Sequence, residues 1–214
     1  FIERAHRTDA GRIFARVLTY FTAGGLWLWL GLSFFIGDLA RLRLAGVYLI
    51  HPDYWSGLGI IPLVLAAYLL NGIYVNFLAP VIIAKKTGVI MSVTLAGALV
   101  SIAGNFALIP AFGMYGAAWA VFLSYLVMAV MVYLRGRRFY EVPYEFGRVG
   151  GACAAAAACA LPALLFSPPG LPGLTLKLFC LVVFPALVWF SGLLLPEEKA
   201  LAARWLIGPK TSGV

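Results

Sequence analysis

The side chains able to do chemistry inside the apolar stretches of this chain are amides and phenols, with no acid among them. Between Tyr54 and Leu134 the only charges are Lys85 and Lys86. Within that block Tyr68, Asn71 and Tyr74 step by three residues and so share one side of a helix. Asn76 lies about 140° further round from Asn71, so the two amides do not share a narrow face. A buried amide in hydrocarbon costs several kcal/mol unless it is satisfied. These groups therefore face protein or a wet cavity. Two readings follow: hydrogen bonds to two neighbouring helices, or a ligand-lined cavity in which amides and tyrosine hydroxyls meet sugar hydroxyls. A second stripe, Thr94, Gly97, Ser101 and Asn105, also has helical spacing and reads either as cavity lining or as close packing through small residues. Asn71, Tyr74, Asn76 and Asn105 are the candidate substrate-binding residues.

Lys85 and Lys86 end a long apolar run. They mark topology, or they attract an anionic headgroup or pyrophosphate at a cavity entrance. All eight acids (Glu3, Asp9, Asp38, Asp53, Glu141, Glu145, Glu197, Glu198) fall outside the apolar runs, so these runs hold no carboxylate relay for protons. His6 and His51 stand alone, and Cys153, Cys159 and Cys180 match no zinc or redox spacing and read as small packing residues. No catalytic residue, metal or cofactor is expected, and the chain is not read as an enzyme.

The elements that must position these groups are membrane spans. Hydrophobic residues make up 63% of the 214 and charged residues 11%, too few charges to cover a soluble core. The net charge of +8 sits in short clusters between apolar runs, without the aromatic-interleaved patch of a nucleic-acid binder. A bilayer core about 30 Å thick needs roughly 20 apolar residues per helix. That length predicts an all-α, polytopic bundle of six transmembrane helices, A–F. They are placed at 17–37, 56–83, 87–109, 115–134, 149–167 and 174–195. Residues 1–16 form a cytoplasmic lead-in, 38–53 a short interfacial helix leading into a turn, 135–148 a basic cytoplasmic loop and 196–214 a cytoplasmic tail. Helices A–D (17–134) form one body, and E–F (149–195) a hairpin.

Turns are expected at Ile109-Pro110-Ala111-Phe112-Gly113 and at SPPGLPG (167–173). Pro62 and Pro80 are expected to interrupt helix B, with Pro80 freeing the Asn76 carbonyl, and Pro162 and Pro185 to interrupt E and F. Six alternating spans put thirteen of the sixteen Lys/Arg on one side, leaving only Arg41, Arg43 and Lys177 on the other. The positive-inside rule then leaves both termini in the cytoplasm. The start at Phe1, with no initiator Met, is what a piece of a longer protein would show.

Three segments carry a family likeness: YWSGLGIIPLVLAAYLLNGIY (54–74), AKKTG (84–88) and NFALIPAFGMYGAAWA (105–120). Together they resemble the C-terminal region of bacterial polysaccharide flippases. These are the O-antigen and capsule lipid-linked oligosaccharide translocases of the multidrug/oligosaccharidyl-lipid/polysaccharide exporter superfamily. The likeness spans about residues 10–195; helices E and F match by position more than by motif. It implies the last six helices of a two-lobed transporter of 12 to 14 helices in the bacterial inner membrane. It also implies alternating access, which moves undecaprenyl-pyrophosphate-linked oligosaccharide between leaflets for polysaccharide biosynthesis. The implied partners are membrane lipids, the lipid-linked substrate and the N-terminal half of the same transporter, with a polymerase and glycosyltransferases acting on the same sugars. Cavity arginines of the similar lipid II flippases have no counterpart inside these spans. Other readings are a multidrug exporter of the same superfamily, a membrane polymerase or ligase of lipid-linked sugars, and a structural membrane subunit.

Overall fold

The computed structural model describes residues 2–44, 47–165 and 171–190. The tail at 196–214 and the residues 167–170 of the expected SPPGLPG turn lie outside the described residues. The chain forms two compact units that meet in sequence at Glu145 and Phe146.

In the first unit, α1 (Ile2–Ala40) runs without a break through the lead-in and helix A. Two short antiparallel strands follow, β1 (Arg43–Leu44) and β2 (Val47–Tyr48), in register Arg43 to Tyr48 and Leu44 to Val47. A 3-10 helix (Pro52–Ile60) then leads into α2 (Ile61–Phe77) and the short α3 (Ala79–Ile83). α4 (Thr87–Phe112) and α5 (Met114–Gly136) complete the unit. In the second, α6 (Phe146–Leu165) packs against α7 (Leu171–Phe190). α6 has a buried ridge of Ala152, Ala156, Cys159, Ala160 and Ala163, the helical spacing that lets backbones approach closely.

Six stretches are long and apolar enough to cross a bilayer: Gly11–Ala40, Pro52–Ile83, Thr87–Phe112, Met114–Gly136, Phe146–Ala163 and Leu171–Trp189. Between 11 and 28% of each is buried inside the protein, so most of this apolar surface points outward and requires lipid as its solvent. The fold is an all-α polytopic membrane bundle, and the residue pairing of β1 and β2 is a local ribbon.

Contacts fix the helix directions in the first unit. Trp29 Nε1 donates to the Pro62 carbonyl at 2.7 Å, while Phe21 fits the notch at Gly72 and Leu69 the notch at Gly25, so α1 and α2 are antiparallel. Ser124 Oγ donates to the Gly97 carbonyl at 2.7 Å and Arg135 Nη1 to Ser92 Oγ, making α4 and α5 antiparallel. Tyr68 meets Tyr125 and Phe77 meets Tyr133, so α2 and α5 are parallel. The four spans of the first unit therefore run in alternating directions. One end carries Arg12, Arg16, Lys85, Lys86, Arg135, Arg137 and Arg138; the other carries Asp38, Arg41, Arg43 and Asp53.

Five expectations need correction. Pro162 and Pro185 do not interrupt α6 and α7, which run unbroken through them, each proline removing only its own N–H from the ladder. Residues 38–53 do not form an interfacial helix: α1 absorbs Asp38–Ala40, Arg43–Leu44 pairs with Val47–Tyr48, and Pro52 and Asp53 open the 3-10 helix. Pro110 does not open a turn at 109–113, because it removes only its own N–H in the last turn of α4. Gly113 N–H still reaches the Ile109 carbonyl at 2.8 Å, and the chain reverses at Gly113, whose φ of 55° favours glycine. Pro62 does not interrupt a helix. It sits in the first turn of α2, where its missing N–H has no intrahelical partner to lose. Residues 171–173 belong to α7 rather than to a turn.

Candidate functional site

A cleft of about 680 Å³ opens at the basic end of the first unit. It exists because α5 runs out into a loop that folds back over the bundle. After Gly136 the helix tapers: Phe139 and Tyr140 N–H both bond the Gly136 carbonyl, at 3.0 and 3.2 Å. Residues 137–145 then cross the helix ends. Tyr144 N–H bonds the Val142 carbonyl at 2.8 Å, a tight three-residue turn centred on Pro143.

Two contacts tie the loop to α1. Gly11 lies close against it: a Cβ there would stand 3.4 Å from Pro143 Cδ and 3.5 Å from the Tyr140 hydroxyl. About two turns further on, the buried Thr19 Oγ1 stands 3.2 Å from Glu145 Oε2 and 3.2 Å from the Ala15 carbonyl. Its single proton serves one acceptor at a time.

The floor is aromatic. Phe77 meets Tyr144 at 4.9 Å and Tyr133 at 5.3 Å between ring centroids, and Tyr133 meets Tyr144 at 6.1 Å. Such a cluster forms only because α2 and α5 run parallel and present Phe77 and Tyr133 at one level. Burial, with Tyr133 alongside as the smaller cause, pushes the Tyr144 phenol up from 10.0 to about 12. It stays neutral and hydrogen-bond competent through the physiological range. Arg137 holds its guanidinium 6.0 Å from the Tyr133 ring centroid. Glu141 and Phe139 complete the rim, with Pro80 beneath them. This lining is built to bind: aromatic faces take an apolar chain or the C–H face of a sugar, Arg137 takes an anion and Glu141 takes hydroxyls.

None of the six residues singled out from the sequence lines the cleft. Lys85 and Lys86 are exposed in the α3–α4 turn at the same end of the unit. On α2, Tyr74 is buried and Asn71 half-buried, while Tyr68 is 58% exposed and its ring stands 6.2 Å from that of Tyr125. Asn105 follows Gly104, which faces Ala120 of α5, so it sits about 18 Å along the axis from Asn76 at 1.5 Å per residue. Asn105 and the α2 amides are thus at different depths.

Asn76 stands apart. Its Oδ1 is buried without a hydrogen-bond partner, one residue before Phe77 of the cleft floor. Its backbone carbonyl would pair with the N–H of residue 80, and Pro80 has none. The helix breaks at Leu78, whose N–H turns back on the preceding carbonyls, so α2 ends with a side-chain amide oxygen left unpartnered one residue from the cleft floor. Thr22 on α1 is the other notable buried group, fully enclosed with its Oγ1 unpartnered.

Sequence reasoning missed the cleft because its parts come from residues 11, 77–80, 133–137 and 139–144, united only by the helix directions. The available signal was the density of rings and prolines in RRFYEVPY, higher than a merely solvated loop requires. Compared with protein-family models, with curated proteins and with solved structures, the chain matches none.

Proposed function

We propose that this chain is the C-terminal part of a flippase that moves lipid-linked oligosaccharide across the bacterial inner membrane for polysaccharide biosynthesis. The observation that carries this reading is the likeness of residues 54–74, 84–88 and 105–120 to that family. Two structural features are in keeping with it. The 105–120 segment forms the tight α4–α5 hairpin, closed where Gly104 meets Ala120 and Gly116 meets the Leu108 backbone. The basic end holds an aromatic cleft with an unsatisfied amide next to its floor, a lining suited to sugar hydroxyls. Asp38 and Asp53, the carboxylates of these spans, stand at span ends, and neither lies in a span interior where an ion-coupled drug exporter would use it, which favours lipid-linked sugar over cationic drugs within the same superfamily.

The function requires the N-terminal half of the transporter, so the test uses the full-length protein. Asn76→Leu removes the unsatisfied acceptor while keeping the volume. Surface polysaccharide is expected to fall roughly tenfold, the factor that corresponds to one lost hydrogen bond of about 1.4 kcal/mol, with membrane protein level unchanged. Asn71→Leu is the comparator and should have the smaller effect. Normal display in the Asn76 variant would return that residue to packing, and normal display in a deletion strain would remove the flippase reading altogether.

A further inference from the structure

Two arginines lie on the end of the first unit opposite its basic end, against the partition that places thirteen of sixteen Lys/Arg elsewhere. Their surroundings are specific. The β1–β2 register sets Arg43 directly across from Tyr48, which puts the two side chains on one face of the ribbon. The Arg43 guanidinium lies over the Tyr48 ring, 4.4 Å from its centroid, and Nη2 donates to the Tyr48 hydroxyl. Arg41 lies over Trp55, 5.4 Å from the ring centroid. The two rings meet edge to face at 5.3 Å and 90°, and Trp55 is held in place by Nε1 donating to the Ile50 carbonyl at 3.0 Å.

Asp38 and Asp53 at this end balance the two arginines in formal charge. Neither guanidinium pairs with a carboxylate among the described residues, and Asp53, the acid of this loop, stands 3.2 Å from His51 instead. A guanidinium held against a ring has less rotamer freedom left to lose on binding, and Arg43, with one N–H taken by the Tyr48 hydroxyl, keeps further N–H donors, as does Arg41. Both arginines are exposed, whereas Tyr48 and Trp55 are half-buried, the placing of rings at a membrane–water interface.

We infer that Arg41 and Arg43, held on the Tyr48–Trp55 platform, form a clamp for a phosphate group at the bilayer surface. A phosphate ester offers the anionic oxygens that two planar donor forks match, and the interface supplies it at high local concentration. The phosphate could belong to a phospholipid headgroup or be free in solution. This inference does not rest on the transport reading.

The test uses the full chain in non-ionic detergent, with two probes. Retention of phosphatidylglycerol from doped micelles is counted by native mass spectrometry, with phosphatidylcholine for comparison. Inorganic pyrophosphate is titrated by calorimetry. Each arginine near an anionic surface contributes a factor of about five, so the R41Q/R43Q pair should weaken binding about 25-fold. R41K/R43K should recover only part of it, because lysine lacks the fork. Trp55→Leu, with both charges kept, should also weaken binding and guards against a fold defect specific to the arginine pair. Loss of lipid retention alone supports a headgroup as the source, and loss of pyrophosphate binding supports a free phosphate. Unchanged binding of both probes in R41Q/R43Q overturns the clamp. So does an equal loss from K85Q/K86Q, which would show general charge attraction.

Discussion

Lys85 occupies a position that its backbone reserves for glycine. Its φ is 54°, and two hydrogen bonds close the end of α3 around it: Lys86 N–H to the Val81 carbonyl at 3.1 Å and Lys85 N–H to the Ile82 carbonyl at 2.9 Å. This is the Schellman arrangement, in which a left-handed residue follows the helix cap. A non-glycine residue there costs roughly 1–2 kcal/mol. Lys85→Gly should therefore raise the thermal stability of the purified chain by about 1 kcal/mol, with part of the gain offset by the greater freedom of glycine in the unfolded state. Lys85→Gln, which keeps the strain, should leave stability nearly unchanged. If both variants melt alike, the strain at this position is negligible. Charge at Lys85 was legible in the sequence; the left-handed backbone was not, because only the α3–α4 reversal forces it.

At the scale of the element, the α4–α5 seam shows how far a stripe can be read. Sequence spacing puts Thr94, Gly97, Ser101 and Asn105 on one face, but the face that packs on α5 runs through Val93, Gly97, Gly104 and Leu108. Thr94 is exposed, and Ser101 and Asn105 lie half-buried beside the seam. The two stripes share Gly97, where the small-residue reading holds: a side chain would collide with Met128, and the carbonyl, left accessible by the missing side chain, accepts from Ser124. A face offset by one residue in a uniformly apolar helix is invisible in sequence, since every face is apolar in lipid.

The closest backbone approach is at Gly116, where a Cβ would strike the Leu108 carbonyl and the Ile109 nitrogen. Backbone cannot yield as a side chain does. Gly116→Ala is expected to cost at least the upper part of the overpacking range of about 1–3 kcal/mol. Ser124→Ala should lose only about 0.6 kcal/mol, the average for an interhelical hydrogen bond in membranes. Thermal unfolding in detergent gives the order, and a Ser124 variant less stable than the Gly116 variant would contradict this account of the hairpin.

For the molecule as a whole, helix direction sorts the charges. The first unit gathers Arg12, Arg16, Lys85, Lys86, Arg135, Arg137 and Arg138 at one end, and the proposal that this end faces the cytoplasm, as the positive-inside rule would have it, is open to a direct test. In a variant with Cys153, Cys159 and Cys180 replaced by Ala, Met114→Cys at the α4–α5 tip should react with a membrane-impermeant thiol reagent in intact cells. Lys86→Cys should react only after permeabilisation. The reverse pattern would invert the molecule and move the aromatic cleft to the outer face.

Composition and run length alone determined that the chain is an all-α membrane protein with six stretches fit to cross a bilayer, because hydrocarbon admits only helices of a minimum length. Tertiary structure decided which residues meet. The cleft needs Phe77 and Tyr133 brought level by two parallel helices and a loop pinned at Gly11 and Thr19; the arginine platform needs a two-residue strand register. Those juxtapositions join residues far apart in the chain or set by a ribbon too short to leave a periodic signal, and in a uniformly apolar sequence no pattern marks which faces will touch.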